Sequence, residues 1–319
     1  MREVHKGVRF NMKRYLDCTA SDLEKMSKEE FLKAIAASEG RLIVCETIGK
    51  VQPMLGDISN AEFVAAMGAD MIILNVFDVN NPEVNGLPKV EKSEIIREIK
   101  KLTGRKVGIN LEPLEVGVES SVATDETWQL SSGRKATLEN AIKAVEMGVD
   151  FIVLTGNPGI GVTNKAIVDT LKIYKENIGD KVVLVAGKMH AAGILSEAGE
   201  NIITKKDIDE FIIAGADIVL MPAPGTVPGI TMEYVRELVV HTHKAGKLTL
   251  TAIGTSQEGA DTATIKQIAL MCKMSGTDLH HLGDAGYIGM SLPENILEYG
   301  KTIRGVRHTY RRMAMSIKR

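Results

Sequence analysis

The stretch VVLVAGKMHAAG, residues 182–193, joins a predicted buried strand to a lysine and a histidine two positions apart. Its continuous valine and leucine run is typical of a strand in a parallel sheet covered by helices on both faces. In an extended segment, the side chains of Lys188 and His190 point to the same side. A lysine at the end of a buried strand either extends to solvent or lines a polar site. We take this stretch as the centre of the predicted functional site.

The same order of segments occurs eight times along the chain: an apolar strand, a polar loop with glycine or proline, and an amphipathic helix. Such units, joined by right-handed crossovers, predict an α/β fold, a closed (β/α)8 TIM barrel. An open doubly wound sheet is the alternative, but no GxGxxG sequence follows the first strand. Besides the strand that opens 182–193, the predicted strands are 42–45, 71–76, 106–111, 151–154, 218–221, 248–253 and 279–282. The predicted helices that follow the strands are 61–67, 93–102, 137–147, 164–177, 205–214, 232–244, 262–274 and 293–315.

Residues 1–40 are predicted to form an N-terminal arm and a helix, and residues 41–319 the barrel with its long C-terminal helix. The first part, residues 1–20, is predicted to lie over the surface. Ser27 and Glu30 have the spacing of a capping box, which predicts a helix that stops before Gly40. A glycine followed two residues later by aspartate precedes several strands, which indicates a helix cap and a tight turn that serve stability.

Two other segments have more than one interpretation. The long loop 115–136 is either a lid over the site or a surface loop packed on itself. The C-terminal helix ends in many basic residues, which suits the negative end of a helix. Those residues could also form a subunit contact or bind an anionic partner.

The composition excludes several classes of function. The chain has 319 residues and a formal net charge of -2, which predicts no general attraction to nucleic acid or to anionic membranes. No apolar run approaches the length of a membrane span. The 3 cysteines form no disulfide framework, which suits a reducing cytoplasm. We therefore predict a cytoplasmic protein, a homo-oligomer, whose partner is a small phosphorylated metabolite.

Polar residues at the ends of the predicted strands supply the candidate site, because barrel active sites lie at the C-terminal ends of the strands. Three neighbouring strands each end in two polar residues at i and i+2, which share a face. The candidate catalytic residues are Glu46, Glu112, Lys188 and His190. The candidate substrate-binding residues are Asn75, Asn110, Thr155, Asn157 and Thr251. For any one of them, a satisfied polar group on a loop is the alternative.

Glycine-bearing loops after the last strands predict a phosphate site, since barrels often bind phosphate there through backbone N–H groups. The candidates are Gly225, Thr226, Gly254, Thr255, Ser256, Gly283 and Gly286. Asp284 opposes this prediction because a carboxylate repels phosphate, and tight turns are the alternative role of the glycines. Oxygen-rich side chains also suggest a Mg²⁺ or Mn²⁺ cofactor. The candidate metal ligands are Glu46, Asp78, Glu112 and Asp284, with His190 as a further donor.

The strand ends and the glycine-bearing loops after strands 7 and 8 resemble those of the phosphate-binding TIM-barrel superfamily, which includes isomerases, aldolases and synthases. The chain also looks like an uncharacterised bacterial barrel family labelled phosphoenolpyruvate phosphonomutase-like or haloacid dehalogenase-like hydrolase. The Asp-x-Asp sequence of such hydrolases is replaced here by Glu46-Thr-Ile. The Glu-Asp-Lys signature of the mutases is replaced by Gly187-Lys188-Met. The resemblance therefore implies a barrel that binds phosphate, without a specific activity.

Three functional hypotheses follow. The first is a lyase or isomerase acting on a small phosphorylated carbonyl compound, in which Lys188 forms a Schiff base or acts as an electrophile and Glu112 or His190 carries the proton. The second is a hydrolase or a C–C or C–P lyase assisted by a divalent metal. The third is a non-catalytic ligand-binding or assembly protein that uses the basic C-terminal helix as its partner surface.

Overall fold

The computed structural model describes residues 13–115, 129–158, 161–191 and 195–319. The strands are β1 Leu42–Ile48, β2 Met71–Asn75, β3 Lys106–Leu111, β4 Phe151–Leu154, β5 Val183–Gly187, β6 Ile218–Pro222, β7 Leu248–Ile253 and β8 Leu279–Leu282. They form a closed parallel barrel in which each strand pairs with its neighbours along the chain and β8 pairs with β1. The prediction of a (β/α)8 TIM barrel is confirmed.

The helices lie outside the barrel or close its N-terminal end. They are α1 Ala20–Lys25, α2 Lys28–Ala36, α3 Asn60–Ala66, α4 Ile95–Thr103, α5 Leu138–Met147, α6 Asn164–Ile178, α7 Lys205–Ala214, α8 Met232–Lys244, α9 Thr262–Ser275 and α10 Pro293–Ala314. The capping box of Ser27 and Glu30 starts α2 as predicted. α10 has a kink at Gly305, whose φ is 73°.

Alternating apolar side chains fill the barrel interior. β1 contributes Leu42 and Val44, and β4 contributes Phe151 and Val153. The opposite face of each strand packs against the helices in a second apolar cluster. Because side chains alternate along a strand, the next inward position of β1 belongs to Glu46. The predicted strand ended at Cys45, whereas the observed one continues to Ile48 and carries Glu46 into the barrel.

The prediction of a surface arm is wrong for residues 15–18. Tyr15 is fully buried, and its hydroxyl donates a hydrogen bond to the carbonyl oxygen of Asp70 at 2.7 Å. Leu16 and Phe31 pack with it across the N-terminal end of the barrel. These apolar side chains cover the N-terminal end of the barrel interior. The free energy gained by burying them outweighs the preference of the neighbouring polar residues for solvent. Residues 1–12 lie outside the described residues.

Each of the four Gly-x-Asp sequences directly precedes an even-numbered strand, and its aspartate bonds to the strand before it. We call each of these contacts a clamp. Each glycine has a positive φ, which is 106° at Gly68. Each aspartate carboxylate accepts a backbone N–H from the preceding strand. The four bonds are Ile43 to Asp70 at 2.8 Å, Val107 to Asp150 at 2.9 Å, Leu184 to Asp217 at 3.0 Å, and Thr249 to Asp278 at 2.8 Å. These aspartates therefore hold strands together at the N-terminal face, which is the face of stability in such barrels.

Part of the basic C-terminal helix is structural. The side chains of Arg304 and Arg312 are buried and form ion pairs with Asp70, the second at 2.7 Å between Arg312 Nε and Asp70 Oδ1. Arg312 also donates to the carbonyl oxygen of Tyr15 at 2.9 Å. The helix thus fastens the N-terminal segment to the barrel. Among the described residues, neither α10 nor any other helix has the length and apolar character needed to cross a membrane.

Candidate active site

Glu46 is the centre of a group of buried ionisable side chains at the C-terminal end of the barrel. Its Oε2 lies 3.2 Å from Nε2 of His281, an inward-facing residue of β8. Four further groups lie close enough for the charge of Glu46 to shift their pKa values. They are Glu112, His190, Glu258 and Asp284. The closed barrel therefore brings together residues that are far apart in the chain.

Lys188 and His190 follow β5 and lie together, as the sequence predicts. β5 ends at Gly187, where a Cβ would lie 1.9 Å from the carbonyl oxygen of Leu220 in β6. Lys188 is only 2% exposed, so it does not extend to solvent. Burial lowers the pKa of His190, and the charge of Lys188 lowers it further, while Glu46 opposes the shift. The neutral form of His190 is therefore favoured near pH 7 and can accept a proton.

Glu112 forms a buried ion pair with Arg134. The Arg134 guanidinium donates to Oε1 of Glu112 at 2.5 Å, and the Glu112 backbone N–H donates to the carbonyl oxygen of Arg134 at 2.9 Å. Burial raises the pKa of Glu112, and Arg134 only partly offsets this rise. Glu112 is thus a carboxyl group that changes protonation closer to neutral pH than an exposed glutamate does.

Asn75 connects two other predicted residues. Its Nδ2 donates to Oδ2 of Asp284 at 2.8 Å, and its Oδ1 accepts from Nδ2 of Asn110 at 3.4 Å. Burial and the nearby Glu46 charge raise the pKa of Asp284 to about 7. The next residue, Val76, has a φ of 56° and donates its N–H to Oδ1 of Asn75 at 2.9 Å. A β-branched residue in this conformation is strained, and such strain is common where a side chain must be held for function.

The remaining predicted substrate-binding residues divide into two sets. Thr155 is buried just after β4, and Asn157 is half-buried two residues further on. Thr251 faces the other way, because the inward positions of β7 are Leu250 and Ala252. Its buried hydroxyl lies near the thiol of Cys272 in α9 and has no hydrogen-bond partner among the described residues. The structure therefore places Thr251 between sheet and helix, away from the barrel interior.

Asp78 does not join the other predicted metal ligands. Its Oδ1 accepts the backbone N–H groups of Asn80 at 2.7 Å and Asn81 at 3.0 Å. It lines a cavity of about 360 Å³ on whose wall Ser131 and Arg134 also lie. Within the described parts of the chain, no group of three or more His, Cys, Asp or Glu side chains has an arrangement suited to a metal ion. The Mg²⁺ or Mn²⁺ cofactor stays a prediction.

The predicted phosphate-binding residues make contacts within and between the loops after the strands. The hydroxyl of Thr226 donates to the carbonyl oxygen of Ala223 at 2.8 Å, and that of Thr255 donates to the carbonyl oxygen of Thr226 at 2.6 Å. Gly225, Ser256 and Gly286 have positive φ values and form turns. At Gly254 a Cβ would lie 2.2 Å from the sulfur of Met189, so this glycine serves packing.

The loop after β8 binds two carboxylates of the chain. The N–H of Ala285 donates to Oε1 of Glu258 at 3.1 Å, and the N–H of Gly286 donates to Oδ1 of Asp284 at 2.8 Å. A Cβ at Gly283 would lie 2.7 Å from the carbonyl oxygen of Ile253 and 3.2 Å from the carboxyl carbon of Glu258, so glycine lets this loop approach both β7 and the carboxylate. Phosphate binding here stays a prediction. In the structure, two backbone N–H groups of this loop bind the side chains of Glu258 and Asp284 instead.

Sequence reasoning missed three residues of this site. His281 could have been found, because it alternates with the inward Leu279 along β8, although the pair His280-His281 carries no spacing typical of a metal site. Arg134 lies in the long loop 115–136, of which residues 116–128 fall outside the described residues. Glu258 lies in a short 3-10 helix after β7 and carries no recognisable sequence signal.

The proposed lid role of the loop 115–136 stays a prediction, because residues 116–128 fall outside the described residues.

A family model described as "Domain of unknown function (DUF7916)" matches residues 16–319. The chain belongs to this family. No curated protein matches the chain. Among solved structures, thiamine phosphate pyrophosphorylase from Pyrococcus furiosus is similar, with 12% sequence identity and a TM-score of 0.48. The match covers 84% of this chain and 97% of that one, and it carries no information on function.

Proposed function

We propose that the protein is a lyase or isomerase that acts on a small carbonyl compound at the C-terminal end of the barrel. One observation carries the proposal: several buried polar atoms at the C-terminal end of the barrel have no hydrogen-bond partner among the described residues. They are Asn110 Oδ1, Glu112 Oε2, Thr155 Oγ1, Glu258 Oε2 and His281 Nδ1. Buried polar atoms are nearly always paired, so a cluster of unpaired ones favours a bound polar ligand.

In this proposal, Lys188 is the nucleophile. Its amine attacks the carbonyl carbon of the substrate, and loss of water gives an imine. The neutral imidazole of His190 accepts the proton that the Lys188 amine loses as it attacks, and a proton given back to the hydroxyl group of the adduct lets that group leave as water. Glu112, whose pKa is raised by burial, is the second proton carrier. Asn110 and Thr155 hydrogen-bond the substrate and hold it in position. His190, the proton acceptor in this proposal, lies close enough to Lys188 for the lysine charge to lower its pKa.

Reductive trapping tests the role of Lys188. The protein is incubated with small aldehydes, 2-oxo acids and their phosphate esters in the presence of cyanoborohydride, and modified peptides are mapped by mass spectrometry. Hydride adds to the imine carbon and leaves a stable secondary amine. We expect an adduct on Lys188 with one class of compound.

Two controls accompany this test. The Lys188→Met variant should fold, as checked by circular dichroism, and should give no adduct at that position. Lys106 is an internal control, because it is also buried and lies at the opposite end of the barrel, where it pairs with Asp150 at 2.7 Å. Adducts spread over exposed lysines with none on Lys188 would overturn the assignment.

A further inference from the structure

The loops after β7 and β8 meet around the carboxylate of Glu258. Its Oε1 accepts the N–H of Ala285 at 3.1 Å, and the chain makes space for it at Gly283. Loops at this position of a barrel often bind a substrate phosphate through the same kind of backbone N–H group. The carboxylate therefore makes the contact that an incoming anion would need.

Glu258 is held firmly by the rest of the molecule. Its carbonyl oxygen accepts hydrogen bonds from the Ser291 hydroxyl at 3.1 Å and from Nδ2 of Asn295 at 2.8 Å. Asn295 is fully buried in the first turn of α10 and also donates to the carbonyl oxygen of Ala260 at 2.8 Å. The backbone of this short helix is thus fastened to α10, and the Glu258 side chain is 4% exposed.

The surroundings of Glu258 are acidic on the side of the candidate site. Glu46 and Asp284 lie close enough to interact with its charge. The second loop amide, from Gly286, is already bound by Asp284. Oε2 of Glu258 has no hydrogen-bond partner among the described residues. Burial raises the pKa of Glu258. In its ionised form, Glu258 therefore offers Oε2 as a hydrogen-bond acceptor to a ligand on this side of the site.

We propose that Glu258 is a specificity-determining residue whose carboxylate occupies the anion position between the two loops and excludes phosphate. The substrate then presents hydrogen-bond donors, hydroxyl or amino groups, to this side of the site. The second statement rests on the proposed function, because it places the substrate at the C-terminal end of the barrel. The exclusion of phosphate does not rest on the proposed function, because it is a property of the protein without substrate.

Binding of inorganic phosphate tests the exclusion. Thermal unfolding is measured with and without about 10 mM phosphate, at constant ionic strength, for the wild type, Glu258→Ala and Glu258→Gln. Removal of the side chain frees the Ala285 N–H, whereas glutamine keeps the space filled and removes only the charge. We expect phosphate to raise the Tm of Glu258→Ala by about 2–3 °C, which corresponds to a Kd of about 1 mM, and to leave the wild type unchanged.

The outcomes separate the possible causes. If phosphate leaves the Tm of Glu258→Gln unchanged, the side chain excludes phosphate by filling the space. A Tm shift equal to that of Glu258→Ala would assign the exclusion to charge alone and overturn the explanation by occupancy. A phosphate shift in the wild type, or none in a folded Glu258→Ala protein, overturns the proposal. The measurement does not involve Lys188, so its failure leaves the Schiff-base assignment standing.

Trapping with glyceraldehyde and with its phosphate ester then tests the substrate class. We expect the wild type to form the Lys188 adduct faster with the unphosphorylated compound and Glu258→Ala to reverse the preference. A wild type that prefers the phosphate ester would contradict the donor-presenting substrate. The same comparison is made with each aldehyde or 2-oxo acid of the panel and its phosphate ester; if none is trapped on Lys188, the proposed function fails, and the phosphate measurement still decides the role of Glu258.

Discussion

Asp78 and Asp284 show how the same residue type acquires opposite properties at the end of this barrel. Asp78 accepts two backbone N–H groups. Partial burial would raise its pKa, but these hydrogen bonds and the nearby Arg134 charge contribute to a net lowering. Asp284 is buried beside Glu46, and its pKa rises to about 7. Carboxyl groups with separated pKa values can take different roles in proton transfer. Asp284 is the one that exchanges a proton near neutral pH.

The raised pKa of Asp284 predicts a pH-dependent stability. An aspartate in the unfolded chain loses its proton near pH 4, whereas the folded protein keeps it until about pH 7. Stability from this group is therefore present at low pH and is lost as pH rises from about 4 to 7. Asp284→Asn stays neutral, so its free energy of unfolding should exceed that of the wild type by up to about 4 kcal/mol at pH 8.

Urea unfolding of both proteins between about pH 5 and pH 8 measures this difference. Asp57→Asn is the matched control, because Asp57 is exposed in the loop after β1. A difference between Asp284→Asn and the wild type that stays constant with pH would show that Asp284 ionises normally. The control should follow the wild type across the whole range.

At the scale of single residues, the sequence predicted part of the site. Glu46, Lys188 and His190 were identified because they follow apolar strands, and the structure brings them together. Thr251 was misplaced because the inward register of β7 depends on packing, which decides whether odd or even positions face the barrel. Glu258 could not be identified, since its position depends on the contact between two loops that are joined only in the closed barrel.

Among the elements, β5 has the closest backbone contact next to the candidate site. A Cβ at Gly187 would meet the carbonyl oxygen of Leu220 at 1.9 Å, and a backbone atom cannot move aside as a flexible side chain can. Gly187→Ala must therefore separate β5 from β6 and displace Lys188. We expect a loss of about 2–4 kcal/mol in the free energy of unfolding and slower trapping of Lys188.

Chemical denaturation and the trapping assay measure these two effects. Gly259→Ala is the control, because the added Cβ would have no heavy atom within 4 Å and the glycine needs no positive φ. It should change stability by no more than about 0.5 kcal/mol. Wild-type stability in Gly187→Ala would show that the two strands can separate without cost.

The elements were predicted more accurately than the residues, because periodicity and glycine caps mark them in the sequence. Helix α7 begins at Lys205 and ends at Ala214, as predicted. β1 was predicted too short because Glu46 and Thr47 interrupt its apolar run, although both are buried. A polar residue ends a strand that is predicted from hydrophobicity, whereas the observed β1 extends as far as its backbone pairing with β2.

In the whole molecule, the segment around Tyr15 and the C-terminal helix α10 meet at the N-terminal face of the barrel. Arg312 of α10 binds Asp70 and the carbonyl oxygen of Tyr15. Arg312→Ala leaves the buried Asp70 with Arg304 as its remaining ion-pair partner and removes a bond to the N-terminal segment. We expect a loss of about 3–5 kcal/mol in the free energy of unfolding, which urea denaturation measures.

Arg307→Ala on the same helix is the control, since Arg307 is exposed. The Arg312 variant should also be cleaved faster by trypsin after Arg14 and Lys25, if the helix holds this segment in place. Equal cleavage and equal stability in both variants would contradict the structural role of Arg312. Removal of residues 304–319 is a poor test of a partner surface, because it deletes this ion pair.

The Gly-x-Asp clamps divide the barrel into quarters. Each clamp bonds an odd strand to the following even strand, so β1–β2, β3–β4, β5–β6 and β7–β8 are each closed by a local contact. The ion pairs of the same aspartates reach further, from Lys28 to Asp217 and from Arg312 to Asp70. A break in the chain between α6 and β5 would leave every clamp intact within one fragment. Each half would then supply one cation and one anion to the ion pairs that join the halves, which favours the reassembly of two separate polypeptides into one closed barrel.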